Sequence, residues 1–184
     1  MASGCWSCSR RSFLSLSAAA AGSALVLRPE AASAALAPTR TIALHTQWSD
    51  ERFVGPYLEG GSYLSSALRD IDHLLRDRHN QSEHPIDVRL LDLLHAFKKQ
   101  AGYHGSFEVA CGYRSAETNR MLRRHGVHAA KDSLHIQGQA VDVRFDGLSL
   151  RKAHQIALDM RLGGVGFYPH GNFLHLDVGP VRAW

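Results

Sequence analysis

The spacing of apolar residues changes at Ser106, and this change restricts the folds open to the chain. Before it, two segments carry apolar residues at helical spacing: Leu64, Leu68, Ile71 and Leu75, then Leu90, Leu91, Leu94 and Phe97. After it come short β-rich segments separated by glycines, at residues 107–112, 139–145, 164–168 and 173–178, with helical stretches at 116–124 and 149–160. This order predicts an α+β domain, with N-terminal helices packed on a mostly antiparallel sheet, and not a doubly wound parallel sheet.

The segment ahead of the first helix holds less regular structure. Residues 41–48 alternate enough to predict a short strand. Residues 55–62 contain Pro56 and the pair Gly60-Gly61, and we predict a loop there.

The first 37 residues differ in composition from the rest and predict an export signal. Arg10 and Arg11 precede an alanine-rich, moderately apolar run, and small residues at 32–34 or 35–37 offer cleavage sites. This layout is typical of the twin-arginine route, so we expect an exported, periplasmic protein with a single domain over residues 38–184. The run is too short and too weakly apolar to predict a membrane span in the mature form. An ordinary N-terminal helix or an uncleaved anchor is the alternative.

Charge and cysteine content give no support to nucleic-acid binding or to a disulfide framework. Loss of residues 1–37 removes three arginines and one glutamate, so the formal net charge falls from +4 to +2. Without a Lys/Arg run, this nearly neutral chain gives no sign of a nucleic-acid partner. Cys5 and Cys8 lie in the predicted signal, so Cys111 alone remains and no intramolecular disulfide is possible. We predict that Cys111 is a buried apolar filler.

Two segments combine histidine with aspartate in a way that predicts a metal site. Residues 133–142 place His135 and Asp142 on either side of a glycine, and residues 173–178 place His175 and Asp177 two apart in an apolar strand. Residues two apart on a strand share a face, so His175 and Asp177 point away from the core. If these strands are neighbours, Asp142 and His175 lie side by side, and His135 reaches them from the loop at Gly138.

Two histidines and one carboxylate form a ligand set that suits catalytic zinc, because the fourth position stays open for water. Amide hydrolysis also needs a proton shuttle and a cation for the developing oxyanion. Asp177 is the candidate shuttle, and Arg114, which follows a predicted strand, is the candidate oxyanion stabiliser. Each residue alone has a structural explanation as well: Asp177 as a partner that holds a ligand's imidazole ring, and Arg114 as a member of an ion pair.

The same residues resemble a known family of zinc peptidases, which includes D-Ala-D-Ala carboxypeptidases, vancomycin-resistance dipeptidases and murein endopeptidases. The family signature S-x-H-x-x-G-x-A-x-D is matched by Ser133, His135, Gly138, Ala140 and Asp142. From about Arg69 onward the chain looks like the murein endopeptidase K type. Further matching segments lie at residues 112–115, 118–119, 163–168 and 175–179.

The resemblance implies a fold like that of the hedgehog signalling domain and the D-Ala-D-Ala peptidases, with Zn²⁺ held by His135, Asp142 and His175. It implies that Arg114 polarises the substrate carbonyl and that Ser133 positions the peptide. It further implies a zinc-dependent murein endopeptidase that hydrolyses peptide cross-links between peptidoglycan stem peptides. The alternatives are a D,D-carboxypeptidase or dipeptidase acting on free peptide ends, and a noncatalytic zinc-containing module that binds the cell wall.

The position of the general base differs from the family pattern. Dipeptidase relatives carry Glu or Asp three residues before the last histidine ligand, where this chain has Asn172. Other relatives carry H-x-H, and on that register Asp177 is the ligand and His175 the base. We prefer His175 as ligand with Asp177 as the shuttle, and keep His170 as a weaker proton-transfer candidate.

Overall fold

The computed structural model describes residues 38–126 and 129–184. The predicted export signal, with Cys5 and Cys8, lies outside the described residues. Within them, the strands are β1 (Arg40–Thr46), β2 (Arg52–Glu59), β3 (Ser62–Tyr63), β4 (Phe107–Cys111), β5 (Ala140–Phe145), β6 (Gly164–Tyr168), β7 (Phe173–Asp177) and β8 (Arg182–Ala183). The helices are α1 (Ser65–Leu74), α2 (Val88–Ala101), α3 (Ala116–Arg124) and α4 (Leu150–Met160).

The strands form one mixed sheet in the order β3-β2-β1-β4-β5-β7-β6-β8. Neighbours run antiparallel except for β1 with β4 and β6 with β8, which are parallel. The described chain is therefore a mixed α/β structure with a mostly antiparallel sheet, and this part of the fold prediction is confirmed.

Helix ends follow local capping rules. Asp87, Ser115 and Ser149 precede α2, α3 and α4, and each side chain accepts a backbone N–H from the first turn. Gly102 ends α2 in the left-handed conformation, at φ 57°. Helix α1 differs, because Leu64 precedes it and provides no side-chain cap.

The core lies where the apolar faces of α1, α2 and α4 meet one face of the sheet. The helices supply apolar side chains that recur at helical spacing, and β4, β5 and β7 supply every second residue. The buried set includes Ile71, Leu75, Leu90, Leu91, Leu94, Phe97, Ala153, Phe107, Val109, Val141, Val143, Leu174 and Leu176. Burial of this size is the main favourable contribution to folding, and it leaves the opposite face of β5 and β7 free for polar residues.

The predicted strands and helices after Ser106 all form, within a residue or two of the predicted limits. The loop predicted at residues 55–62 is wrong, since Arg52–Glu59 is strand β2. Pro56 is tolerated because the register with β1 shifts there: Arg40 pairs with Leu58, whereas Thr41 pairs with Pro56. Strand β3 pairs only with Leu58 and Glu59, so Pro56 needs no N–H for a second neighbour.

None of the helices in residues 38–126 and 129–184 combines the length and apolar character needed to cross a membrane.

Candidate metal centre

Strands β5 and β7 bring two of the predicted ligands together. They pair antiparallel, with Asp142 directly opposite His175. Their flanking residues Val141, Val143, Leu174 and Leu176 are buried in the core. Because side chains alternate along a strand, Asp142 and His175 share the opposite face. The pairing predicted from the two sequence segments is confirmed.

His135 comes from a short 3-10 helix, Leu134–Gln137, that ends at Gly138. Gly138 has φ 64°, and a Cβ there would collide with the carbonyl oxygen of Pro85, so both the left-handed backbone and the close approach require glycine. His135 Nδ1 donates to Gly112 O at 2.7 Å. This bond places the proton on Nδ1 and leaves Nε2 as an acceptor facing β5 and β7.

Three acceptor atoms converge at this point. His135 Nε2 lies 3.1 Å from His175 Nδ1 and 3.3 Å from Asp142 Oδ1. His175 Nδ1 lies 3.0 Å from the same carboxylate oxygen. His175 donates its Nε2–H to Asp177 at 2.9 Å, so its Nδ1 carries no proton in the neutral ring. Three buried lone pairs that face one another repel unless a proton or a metal ion lies between them, so the cluster is a possible metal site.

Without a metal ion, a proton can fill this place. Burial lowers the pKa of His135, but the neighbouring Asp142 and Cys111 outweigh it, and the net upward shift favours a second ring proton on Nε2, which a metal ion would have to displace. Burial raises the pKa of Asp142, whereas His135 and His175 lower it, and it ends well below its usual range. Asp142 is therefore ionised, and its negative charge favours a cation at the three donor atoms.

Cys111 also faces the cluster, which the sequence did not indicate. A bulge in β4 separates the pair Val109 with Val143 from the pair Cys111 with Asp142, and such bulges re-aim side chains. The Cys111 sulfur lies with donor atoms of His135 and Asp142 in a group whose members are all within 4.8 Å of one another. The prediction of an apolar filler is wrong. Besides His135 and Asp142, the cluster therefore offers two candidates for a third donor atom, His175 Nδ1 and Cys111 Sγ. The donor atoms lie closer together in the set with His175.

Asp177 lies behind His175, on the side away from Asp142. Its side chain is completely buried. Besides His175, it accepts hydrogen bonds from the backbone N–H of Gly164 and of Gly179, and two from Arg182 at 3.0 and 2.7 Å. Burial raises the pKa of Asp177, but the bonds from His175 and Arg182 outweigh it and lower the net value. The predicted shuttle Asp177 therefore contacts the imidazole of His175 from within the protein interior.

Arg114 stands on the other side of Asp142. Its Nη2 lies 3.3 Å from Cys111 Sγ and 3.9 Å from Asp142 Oδ2, and its Nη1 donates to Asn119 Oδ1 at 3.4 Å. Asn119 in turn donates to Ala130 O at 2.9 Å, which holds the loop after α3. Burial lowers the pKa of the Arg114 guanidinium, but Cys111 and Asp142 raise it by more. The net shift of the pKa is upward, so the guanidinium stays charged.

A cavity of about 790 Å³ opens over the three donor atoms. Arg114 and Ser133, both predicted site residues, line it. The sequence did not indicate several other lining residues, which come from distant segments: Arg123, Asp132, Tyr168, Phe173, Arg182 and Trp184. His170 lies exposed in the short turn Pro169–Gly171 and is not among the lining residues.

The C-terminal residues form one wall of this cavity. The Trp184 indole donates to the Tyr168 hydroxyl at 2.8 Å, and its ring centre lies 5.2 Å from that of His175. The Arg182 guanidinium lies 5.0 Å from the Trp184 ring centre, a cation–π contact. A side chain at Gly166 would collide with this indole. No sequence pattern links Trp184 to His175, because only the parallel pairing of β8 with β6 brings them together.

Comparison with known proteins places residues 34–184 within the profile of a family described as peptidoglycan L,D-endopeptidase MepK. The chain is 34% identical over 175 residues to the peptidoglycan L,D-endopeptidase MepK of Escherichia coli strain K12, covering 95% of this chain and 96% of that protein. It is 35% identical over 176 residues to the probable peptidoglycan L,D-endopeptidase MepK of Haemophilus influenzae, covering 95% of each.

Proposed function

Because the chain belongs to the peptidoglycan L,D-endopeptidase MepK family, we propose that it hydrolyses peptide cross-links in bacterial peptidoglycan at the centre formed by His135, Asp142 and His175. The relatives' names specify an L,D-endopeptidase, and we propose that this chain also cuts a bond between an L-configured and a D-configured residue. The convergence of three lone pairs beside a cavity is the observation that carries the proposal.

We propose zinc as the metal. Nitrogen and oxygen ligands about 2.0–2.2 Å from a tetrahedral zinc ion lie roughly 3.3–3.6 Å from one another. The separations of 3.0, 3.1 and 3.3 Å between the donor atoms of His135, His175 and Asp142 are close to this range. Three protein ligands also leave one position open, which is the arrangement of catalytic and not of structural zinc sites.

When bound there, zinc activates water and polarises the scissile carbonyl. The protein supplies the surrounding electrostatics. Arg114 presents a permanent positive charge between Asp142 and the cavity, where a carbonyl oxygen gains negative charge as water attacks it. Because Asn119 and Cys111 hold the guanidinium in place, little reorganisation accompanies that step. Ser133 lines the same cavity, and we assign it a role in positioning the peptide.

We propose that Asp177 orients His175 and does not move a proton during turnover. Its oxygens are occupied by His175, Arg182 and two backbone N–H groups, and no part of its side chain reaches the cavity. A carboxylate that accepts the second N–H of a metal-ligating imidazole fixes the ring and makes the ligand more basic. Arg182 keeps this carboxylate ionised.

We extend the proposal to the export of the protein and to its fold. Residues 1–37 act as a twin-arginine export signal that delivers the catalytic domain, residues 38–184, to the periplasm, where the substrate lies. The domain adopts the fold of the hedgehog signalling domain and D-Ala-D-Ala peptidases, which the mostly antiparallel sheet and the position of the ligands on β5 and β7 support.

Digestion of purified cell-wall sacculi tests the proposal. Protein comprising residues 38–184, loaded with zinc, is expected to release un-cross-linked muropeptides from sacculi that contain L,D cross-links, as measured by chromatography and mass spectrometry. Chelation abolishes the release and added zinc restores it. The matched His135→Ala variant is inactive.

Two outcomes would overturn the assignment. Release of terminal D-amino acids without loss of cross-links would make the chain a carboxypeptidase. Binding of sacculi without any cleavage by the zinc-loaded protein would make it a noncatalytic cell-wall module.

A further inference from the structure

A second cavity, of about 320 Å³, adjoins the main one at Arg114. The two cavities share Arg114, Asp142 and Phe173 as lining residues. Arg114 and Asp142 therefore lie where two recesses meet. Volumes of about 300–1,000 Å³ are typical of small-molecule sites, so the second cavity is large enough for a single amino-acid residue.

The arginine side chains that line the second cavity differ in whether a carboxylate pairs with them. Arg76 pairs with Glu51 at 2.8 Å, and Arg144 pairs with Glu108 at 2.7 Å. Arg78 also lines the cavity and is exposed. Among the described residues it has no carboxylate within ion-pair distance, and its Nε donates only to the ring of His79, at 3.3 Å.

The one other acidic group of the wall outside the metal centre is directed elsewhere. Asp77 is buried, and its two oxygens accept the backbone N–H of His79 and of Ser115, each at 2.8 Å. The carboxylate of Asp77 is thus occupied by backbone N–H groups. The Trp48 indole also lines the cavity, but its Nε1 is buried and does not face a ligand there. A cavity with an uncompensated arginine suits an anionic ligand.

The proposed substrate provides such a group. An L,D cross-link joins the carboxyl of an L-centre to the amine of a D-centre, and the D-centre carries its own carboxylate on the carbon atom bonded to the scissile nitrogen. An endopeptidase must bind chain on both sides of that bond. Resting on the proposed function, we infer that the second cavity binds the D-configured residue on the amine side, with its free carboxylate at Arg78, while the main cavity holds the acyl-side peptide.

Cross-linked muropeptide dimers with the D-centre carboxylate either free or converted to the carboxamide test this inference. The zinc-loaded protein prefers the free acid by roughly tenfold in kcat/KM, as one charge-assisted hydrogen bond at a half-open site provides. Arg78→Gln loses this preference and cleaves both dimers like the wild-type protein on the amide, mainly through a higher KM. Arg78→Lys restores part of the preference.

Arg120→Gln is the matched control, because Arg120 is exposed on α3, bonds only to Ala116 O, and lines neither cavity; it keeps the wild-type preference. Full retention of the preference by Arg78→Gln overturns the inference while leaving the endopeptidase assignment intact. If the wild-type protein cleaves neither dimer, the proposed function fails instead. Equilibrium binding of the two dimers to wild type and Arg78→Gln then still decides whether Arg78 recognises the carboxylate.

Discussion

Replacing Asp177 by Asn separates an orienting role from a proton shuttle, because the two side chains have the same shape. The asparagine keeps one oxygen for the N–H groups of Gly164 and Gly179 but loses the charge that faces Arg182. Its amide NH₂ then faces both the guanidinium of Arg182 and the Nε2–H of His175, which are donors. His175 relieves the conflict by moving its proton to Nδ1, the atom that faces the metal position.

The expected cost follows from this rearrangement. Loss of a carboxylate behind a metal-ligating histidine lowers metal affinity by about 10- to 100-fold, which corresponds to about 1.4–2.7 kcal/mol. Competition with a zinc chelator of known affinity measures the change. Asp159→Asn is the matched control, since Asp159 is exposed and bonds only to Gln155 on the same helix. If Asp177→Asn binds zinc like the wild-type protein but turns over substrate far more slowly, the orienting role is refuted and the shuttle is supported.

Three further predictions concern the neighbours of this site. Arg114→Ala retains zinc and lowers kcat by roughly 10²- to 10³-fold, measured on sacculi, if the guanidinium meets the oxyanion. His175→Ala loses tight zinc binding whereas Cys111→Ser retains it, as metal analysis after dialysis shows; the reverse result would make Cys111 the third ligand. Asp77→Ala lowers the free energy of unfolding by about 2–3 kcal/mol in denaturant titrations near neutral pH, because two buried N–H groups lose a charged acceptor. The net pKa of Asp77 is lowered, since its hydrogen bonds outweigh the effect of burial, so this contribution is present above about pH 4 and fades as the pH falls below it.

The convergence of His135, Asp142 and His175 was predictable because strand geometry is periodic. Alternation in the segments around Asp142 and His175 fixed the face of each side chain, and Gly138 indicated the turn that brings His135 to them. Only one further fact was needed, that β5 and β7 are neighbours, and the sheet provides it.

The position of Asp177 was harder to predict. Its position two residues after His175 places both on one face but does not say which side of the imidazole the carboxylate meets. The answer depends on Arg182 and Gly164, which approach from β8 and β6. The position of the Cys111 thiol was equally hard to predict from the sequence, because a bulge in β4 breaks the alternation used to predict strand faces.

The site is held in place by backbone groups more than by side chains. Gly112 O fixes the tautomer of His135, the N–H groups of Gly164 and Gly179 hold Asp177, and the N–H of Arg114 donates to His135 O at 3.1 Å. These groups belong to strand ends and turns that are anchored by the core, so the three donor atoms stay close together. Zinc at this point would require them to separate by about a few tenths of an ångström. The geometry at β5 and β7 therefore supports the proposed metal site, and Arg114 lies at the boundary between the two cavities, where the proposed peptide substrate would have its scissile bond.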